Sequence, residues 1–234
     1  MSLREAWADN SEDWIRWARA PGDDSCWRFC VLRSRWVRRC RAVDKEMTNW
    51  LAGQVSDLQL ERISGADGAA LVDPLFREYG LWVADQLLAH HGLRFSEADL
   101  ERHHTAFRGE LPGLVGPRGR LLLARIGDEP VGVGTLKPVD GATGEIKRMY
   151  VRPAARGRGV GRALLERLVA DARADGYVVV RLETLDFMKE AHTLYRSLGF
   201  IGTTVFEGSE AVAAGIDSHT HYLELRLPTA VGTG

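Results

Sequence analysis

The chain of 234 residues is 45% hydrophobic and 27% charged, with a formal net charge of −1, which is typical of a globular protein with one sizeable core. Such a near-neutral balance does not favour nucleic acid or a membrane as the main partner. The first residues contain no apolar secretory core, and no apolar run reaches membrane-spanning length, so we expect a cytoplasmic protein.

The first part of the chain differs in composition from the rest, and we predict a helical extension over residues 1–57 ahead of a domain at 58–234. Apolar residues from Trp36 to Trp50 recur at spacings of four and three, which predicts one helical stripe. The arginines between 33 and 41 fit a nucleic-acid patch, but such clusters more often form solvated or partner-facing surfaces. We therefore expect no nucleic-acid partner, and we expect a homodimer through this apolar arm.

All three cysteines of the chain, Cys26, Cys30 and Cys40, lie in this extension. An odd number of cysteines without a secretion signal argues against a disulfide framework, so we expect reduced thiols. The histidines that a finger-like metal site would need lie far downstream, and we predict no metal.

The domain at 58–234 is predicted to begin with two helices. The first has Pro74 in its first turn and ends at Gly92, because proline suits a first turn and glycine a C-terminus. Ser96 and Asp99 have the spacing of a capping box and predict a second helix running towards Phe107. The glycine-rich and proline-rich segment 109–120 is predicted to be a loop.

An antiparallel meander is predicted next, followed by a strand–helix–strand unit. After the meander comes a glycine-rich loop, then an amphipathic helix that ends at Gly176. The strands on either side of this helix are expected to run parallel, because a crossover connection joins them. The meander strands are expected at 121–126, 131–137 and 145–151, and the strand after the helix at 177–183.

A last helix, capped by Asp186 and ended by Gly199, precedes two final strands at 200–206 and 221–227. The whole pattern predicts an α/β (α+β) fold in which a mixed, mostly antiparallel sheet carries a parallel strand pair and flanking helices.

The glycine-rich loop has the chemistry of an anion site. Glycines allow positive φ angles and close approach of a ligand to the backbone, while arginines and a helix N-terminus favour negative charge. The dinucleotide fingerprint fails here because Arg162 stands where its third glycine is required, and no Gly-Lys-Ser/Thr follows as a P-loop would need. The stretch consists of Arg156, Gly157, Arg158, Gly159, Val160, Gly161 and Arg162.

A third pattern, Arg156-x-x-Gly159-x-Gly161, does fit, and through it the chain resembles the GNAT superfamily of acetyl-CoA-dependent N-acetyltransferases. The segments EIKRMYVRP, YVVVRLETLDF and AHTLYRSLGF resemble, in this order, the family's fourth strand, its fifth strand and its final helix signature. The likeness extends from Leu58 to Leu227. It implies the GNAT fold, acetyl-CoA as the co-substrate, and coenzyme pyrophosphate as the anion bound by the loop.

The resemblance also implies site residues. In the family, amides of the fourth strand hold the pantetheine arm, here those of Met149 and Val151 around Tyr150, and loop amides wrap the pyrophosphate. Lys189 is a further candidate for a phosphate contact. Glu145 corresponds to a general base for the amine, and Tyr195 to the acid that protonates the departing thiolate. Met188 departs from the family pattern, because many relatives have asparagine there.

The expected activity is transfer of an acetyl group from acetyl-CoA to a primary amine of a small molecule or an amino acid. The presumed catalytic domain contains no cysteine, so we expect direct attack in a ternary complex rather than an acyl-cysteine route. Two alternatives stay open: a catalytically silent acetyl-CoA sensor or interaction module, and acetylation of a protein lysine or N-terminus.

Residues 1–30 also resemble the lead segment of class I methyltransferases that use S-adenosylmethionine. Such an enzyme would next need a strand that ends in a glycine-rich loop, and the arginine-tryptophan helix stands there instead. We therefore predict no methyl transfer.

Overall fold

The computed structural model of the chain describes residues 57–228. The predicted helical extension, with its cysteines and its arginine cluster, lies outside the described residues. Within 57–228, no helix is both long enough and apolar enough to span a bilayer.

A seven-stranded mixed sheet forms the centre of the described domain, in the spatial order β1-β2-β3-β4-β5-β7-β6. β4 and β5 are parallel, and the other neighbouring strands within 57–228 are antiparallel. The predicted α/β class, the meander and the parallel pair are therefore confirmed. The strands are β1 (Leu58–Arg62), β2 (Arg120–Ile126), β3 (Glu129–Pro138), β4 (Thr143–Val151), β5 (Val179–Leu185), β6 (Ile201–Gly202) and β7 (Thr220–Arg226).

Two helices connect β1 to β2, and both are longer than predicted. α1 covers Gly65–His91, so that Pro74 lies in its interior rather than in its first turn; the predicted end at Gly92 is confirmed by a left-handed φ of 69°. α2 covers Glu97–Leu114, with the capping box of Ser96 and Asp99 in place. The predicted loop at 109–120 is wrong in its first half, because the last turns of α2 occupy it.

The later helices are α3 (Val160–Ala174), α4 (Lys189–Ser197) and the single turn α5 (Glu210–Ala213). The prediction that Asp186 caps α4 is wrong. Met188 is the N-cap residue, and the Asp186 carboxylate hydrogen-bonds to His91 instead. The strand predicted at 200–206 reduces to Ile201–Gly202, since Ile201 and Val205 are exposed and gain nothing by extending the sheet.

The core lies on both faces of the sheet, as the alternation of side chains along β2 requires. Leu121 and Leu123 pack under α1 and α2, whereas Leu122 and Ala124 pack under α3, and all four are fully buried. α3 approaches closely because β3 presents glycines to it: a Cβ on Gly132 would lie 3.3 Å from Val160 and 3.4 Å from Leu164, both in α3. This packing fixes where the N-terminus of α3 lies.

Candidate functional site

A cleft opens where the two parallel strands separate. β4 and β5 pair only from Thr143 with Val179 to Ile146 with Leu182, although both strands continue beyond these residues. On its other edge, β4 stays paired with β3 up to Val151. One edge of the outer half of β4 is therefore left without a strand partner among the described residues, and an extended ligand arm fits such an edge.

The polarity of this edge follows from the strand alternation. The amide of Arg152 donates to the carbonyl of Val131 on β3, so the amide of the preceding Val151 points to the opposite edge, into the cleft. Met149 lies two residues before Val151, within the irregular interval of β4 described below. Of the two amides predicted to hold a pantetheine arm, that of Val151 therefore lies where such an arm could pair with it.

A β-bulge interrupts β4 beside the cleft. Two steps on β3, from Val133 to Thr135, face three steps on β4, from Tyr150 to Lys147, and Arg148 within this interval has a φ of 52°. A left-handed conformation at a non-glycine residue is strained, and bulges of this kind redirect side chains beside functional sites. Here the bulge places two consecutive cationic side chains in the interior.

The predicted anion cradle forms at the N-terminus of α3, next to the open end of the cleft. Gly157 and Gly159 have φ angles of 74° and 80°, and a Cβ built on either would meet no atom within 4 Å. The amide of Ala163 donates to the Gly159 carbonyl, so the amides of the preceding helical residues have no acceptor within the helix. No side chain in the described part of the chain caps this end. The amides remain available to an anion.

The three arginines of the cradle differ in their contacts. Arg156 donates to the Val151 carbonyl at 3.0 Å and lies over the ring of Trp82 at 4.8 Å, so it sits at the junction of cradle and cleft. Arg162 is exposed and pairs with Glu166 and the hydroxyl of Ser197. Arg158 is exposed. The structure thus brings one of the three arginines against the β4 edge.

A cavity of about 120 Å³ lies inside the cleft, beyond the bulge. Residues from both diverging strands line it, together with α1, α2 and the segment before β7. Its lining is Tyr79, Val83, His103, Glu145, Ile146, Lys147, Arg148, Glu183, Thr184, Leu185, Met188, Glu210, Ala211, Ile216 and Thr220.

The predicted base, Glu145, does line this cavity, but cations already bind its carboxylate. It is the third residue of β4 and only 4% exposed. Arg181 donates to Oε2 from Nε and Nη2 at 3.2 and 3.1 Å, and the Lys147 amine lies 3.8 Å from Oε1. Two cations already share the lone pairs of this carboxylate, and a proton from an amine must compete with them.

Two further carboxylates in the cavity were missed by the sequence analysis as catalytic candidates. Glu183 accepts the amides of Glu210 and Ala211 at 3.1 and 3.0 Å. Burial raises its pKa, which the Ala211 amide and Ser209 partly oppose; among residues 57–228 its hydrogen bonds come from the two α5 amides and not from a cation. Glu210 shows the reverse: burial alone would raise its pKa, but His103, Arg148 and Lys147 hold it well below its usual range.

A network of buried charges surrounds these groups. Arg148 donates to Glu110 at 2.7 Å and to Glu210 at 2.8 Å, and Lys147 contacts the same two carboxylates. The sequence signal for this network was present, because Lys and Arg occur consecutively in the strand EIKRMYV. A buried cation needs a carboxylate partner, but the partners come from distant segments that sequence reasoning could not bring together.

The predicted acid, Tyr195, lies apart from the cavity lining. It is 7% exposed, packs against Phe200 in the core, and burial followed by the nearby Tyr79 raises its pKa. Tyr79 of α1, by contrast, lines the cavity. Burial and the neighbouring Glu210 and Glu183 raise its pKa to about 12, although Arg148 opposes them. Of these two phenols, Tyr79 lines the cavity and Tyr195 lies in the core near it.

The position where many GNAT relatives have asparagine is also part of the cavity. Met188 lines it and accepts a hydrogen bond from the Thr184 hydroxyl through its sulfur, at 3.7 Å. Lys189, the predicted phosphate contact, is the exposed first residue of α4. A thioether cannot donate a hydrogen bond, so a donor to the coenzyme must come from another group.

Residues 84–200 match the model of the family described as "Acetyltransferase (GNAT) family". An IAA acetyltransferase of Azospirillum brasilense is 42% identical over 92 residues, which are 39% of this chain and 60% of that protein. The uncharacterized N-acetyltransferase YjgM of Escherichia coli is 40% identical over 75 residues, 31% of this chain and 45% of that protein. The matched region thus spans about half the length of these relatives.

The fold itself has solved counterparts. The PaiA N-acetyltransferase of Thermoplasma acidophilum, solved in complex with coenzyme A, superposes with a TM-score of 0.55 at 16% identity, over 73% of this chain and 99% of that one. An acetyltransferase of Streptococcus agalactiae superposes with a TM-score of 0.52 at 19% identity, over 74% of this chain and 99% of that one. At such identities the likeness shows the fold alone.

Proposed function

Because the chain belongs to the acetyltransferase (GNAT) family, we propose that it transfers an acetyl group from acetyl-CoA to a primary amine of a small molecule or an amino acid. The names of curated relatives support two parts of this proposal. One relative is an acetyltransferase, which supports acetyl as the transferred group, and another is an N-acetyltransferase, which supports nitrogen as the accepting atom. The cleft supports direct attack in a ternary complex, since the described residues 57–228 offer no cysteine to carry the acetyl group.

The observation that carries the proposal is the continuity of three features. The cradle of free amides at Gly159–Arg162 joins the open β4 edge at Val151, and that edge leads to the charged cavity at Glu145. Acetyl-CoA has the same order of parts: an anionic diphosphate, an extended pantetheine arm with amides, and a thioester. The pyrophosphate would accept hydrogen bonds from the cradle, and the arm would pair with the Met149 and Val151 amides.

The charges of the cavity favour a small acceptor with both an amine and an anionic group. Glu145 and Glu183 offer carboxylate oxygens to an ammonium. Lys147 and Arg148 are shared with Glu110 and Glu210, but the buried Nε of Arg148 has no hydrogen-bond partner within 57–228 and can donate to a carboxylate. A cavity of about 120 Å³ has room for a small amine or for a single amine-bearing side chain. An amino acid or a similar zwitterionic amine fits these conditions.

In this scheme Glu145 accepts the proton that the ammonium must lose before attack, directly or through water. The Met149 amide polarises the thioester carbonyl, and Tyr195 donates to the departing thiolate. Because burial raises the pKa of Tyr195, its phenol stays protonated at neutral pH. Its main role is therefore to donate a hydrogen bond. Full proton transfer to a thiolate would be uphill, since a thiol has a pKa of about 8.5.

The second candidate function, a catalytically silent module that binds acetyl-CoA, is favoured by two observations. Glu145 is engaged by Arg181 and Lys147, and Tyr195 does not line the cavity. A site with a coenzyme cradle but without a free base or acid would bind acetyl-CoA and not turn it over.

Turnover separates the two candidates. The full chain is incubated with acetyl-CoA and a panel of amino acids, polyamines and other small primary amines, and release of the coenzyme thiol is followed. The proposal expects thiol release above the background hydrolysis with at least one zwitterionic amine. If acetyl-CoA binds and no amine supports release, the silent module is correct.

Lysine peptides and peptides with free N-termini serve as the comparison panel. If these are acetylated and the small amines are not, the acceptor class proposed here is wrong, while the transfer reaction stands.

A further inference from the structure

Three chemically matched side chains converge beside the cavity, and the reaction proposed above uses none of them. His91 is the last residue of α1, Asp186 directly follows β5, and His219 directly precedes β7. The three segments are far apart in the sequence, so the fold alone brings these residues together. Within 57–228, two imidazoles and one carboxylate, which are all groups that can bind a metal ion, come together here.

One carboxylate lies between the two imidazoles. His91 Nε2 is 2.9 Å from Asp186 Oδ1, and His219 Nδ1 is 3.9 Å from Oδ2. Each residue offers one potential ligand atom, and these three atoms all lie within 4.8 Å of one another. The side chains are 17%, 33% and 31% exposed in chain order, so the group is sheltered but can be reached from solvent.

A simple structural hydrogen bond accounts for only half of this arrangement. A His91–Asp186 pair needs no second imidazole, yet the ring of His219 stacks on that of His91 with centroids 3.8 Å apart and planes 22° apart. The stacking brings two imidazoles together, each with a nitrogen within 4 Å of the same carboxylate. A metal ion binds neutral imidazole through a ring nitrogen, so the cluster offers such an ion two nitrogen ligands and one carboxylate ligand.

We propose that His91, Asp186 and His219 form a binding site for a divalent transition-metal ion of the zinc type. Imidazole nitrogen and carboxylate oxygen are ligands that Zn²⁺ accepts, and three protein ligands leave one position for water. Bonds of about 2.0–2.1 Å in a tetrahedral arrangement separate the ligand atoms by roughly 3.3 Å. The three ligand atoms already lie within 4.8 Å of one another, so the ion binds once the two stacked rings turn their nitrogens towards a common point beside the carboxylate.

This site replaces the expectation that the chain binds no metal. That expectation rested on the distance along the sequence between the cysteines and the histidines, whereas this group uses no cysteine and is assembled by the fold. A bound ion would tie together the end of α1, the exit of β5 and the entry to β7. Leu185 and Thr220, the neighbours of two of the ligands, line the cavity, so the ion would hold the acceptor side of the cavity in place.

The test measures metal binding directly and needs neither acetyl-CoA nor turnover, so its failure would leave the proposed function untouched. The full chain carries C26S, C30S and C40S, so that thiols cannot bind the metal, and is stripped with a chelator. Zn²⁺ is titrated calorimetrically, and Co²⁺ serves as an absorbing probe of the coordination. We expect one ion per chain, a Co²⁺ spectrum typical of mixed nitrogen and oxygen ligands, and a rise in the thermal midpoint with Zn²⁺.

His91→Ala, Asp186→Asn and His219→Ala are each expected to weaken Zn²⁺ binding by about tenfold or more, because each removes one ligand of three. The matched control is His90→Ala: His90 precedes His91, but its ring stacks on Phe187 with centroids 5.1 Å apart and is not part of the group. This variant should bind as the parent does.

Absence of stoichiometric binding to the thiol-free parent overturns the proposal, and this result does not depend on any variant folding. The proposal is also overturned if His90→Ala loses as much affinity for Zn²⁺ as His91→Ala does. The same holds if a variant in which all three ligands are substituted still binds one ion. Unchanged far-ultraviolet circular dichroism of the metal-free variants shows that loss of binding is local.

Discussion

Lys147 and Arg148 are consecutive residues of a buried strand. In a regular strand their side chains would point to opposite faces, but the bulge at Arg148 places both cations in the interior. Each then needs carboxylates, and Glu110 and Glu210 supply them from α2 and from the start of α5. A buried charge left without its partner costs several kcal/mol, so the four groups must be understood as one unit. The chemistry of the cavity depends on which carboxylate is left to act on an amine.

Glu145→Gln tests the proposed base. If Glu145 deprotonates the amine, the substitution should lower kcat/KM by about 10²-fold to 10⁴-fold, because an amide cannot accept the proton. The matched control is Glu183→Gln, where the remaining amide oxygen can still accept an amide of α5. Steady-state thiol release at saturating acetyl-CoA measures both variants. A larger loss in Glu183→Gln than in Glu145→Gln would assign the base to Glu183, whose pKa burial raises.

Tyr195→Phe and Tyr79→Phe test which phenol serves the thiolate. We expect Tyr195→Phe to lower kcat by about 10²-fold, because a hydrogen-bond donor to a developing charge is removed, and to leave the affinity for acetyl-CoA near that of the parent. Tyr79→Phe deletes a hydroxyl that lines the cavity, and we expect it to raise KM for the amine instead. The reverse pattern, with kcat lost in Tyr79→Phe alone, would make Tyr79 the donor.

At this scale, sequence reasoning could identify the residues that carry a local motif. Gly157, Gly159 and Arg156 were found because they are adjacent and their chemistry is local. Tyr79 and Glu210 were missed as site residues because only the fold places them beside Glu145. Asp186 was misassigned as a helix cap because its competing partner, His91, is 95 positions away.

Among the elements, the meander was predictable because alternation and turn residues agree, whereas the starts and ends of the helices were not. Pro74 inside α1 costs about 3 kcal/mol of local helix stability. Its neighbours Val72, Leu75 and Phe76 are buried, and their packing offsets this cost. In α2, Pro112 is tolerated in the same way, since Leu114 is fully buried next to it. Tertiary packing thus overrode the local signal in both helices.

The contact between α3 and β3 sets the position of the cradle, and Gly132→Ala tests it. The new Cβ would lie 3.0 Å from the Tyr150 carbonyl oxygen and 3.3 Å from Val160, the first residue of α3. We expect a loss of about 1–3 kcal/mol in the free energy of unfolding, measured by urea denaturation, because overpacking must displace the helix or the strand.

Gly109→Ala is the matched control for this substitution. Gly109 is an exposed residue of α2, and its Cβ would meet nothing within 4 Å. Alanine should stabilise the protein here by about 0.5–1 kcal/mol, because it favours helix over glycine. Equal effects of the two substitutions would contradict the claim that close packing against β3 positions α3.

For the molecule as a whole, the described region contains both hydrophobic clusters and the entire sheet order given above. The domain boundary near residue 57 remains a prediction from composition. A chain that begins at residue 57 should therefore fold cooperatively and bind acetyl-CoA with an affinity close to that of the full chain. Thermal unfolding and calorimetry measure both properties. Loss of cooperative unfolding in the shortened chain would show that the preceding residues belong to the same folding unit.

The same shortened chain tests the predicted homodimer. If the apolar arm mediates association, the full chain should sediment as a dimer and the shortened chain as a monomer. If both chains sediment as monomers, or both as dimers, the apolar arm does not mediate association.

The central claim is that the free amides at the start of α3 bind the diphosphate of acetyl-CoA, and calorimetric titration of acetyl-CoA into full-length Gly159→Asp tests it most directly. Aspartate tolerates the left-handed conformation of Gly159 and favours a helix N-cap, so the fold should persist. Its carboxylate would occupy the free amides and repel the diphosphate. Gly127→Asp, at another glycine with positive φ in the β2–β3 turn, controls for the added charge.

We predict one acetyl-CoA bound per chain in the parent and in Gly127→Asp, and binding weakened by about tenfold or more in Gly159→Asp. A parent chain that ignores acetyl-CoA at millimolar concentration, or a Gly159→Asp variant that binds as tightly as the parent, would contradict the account.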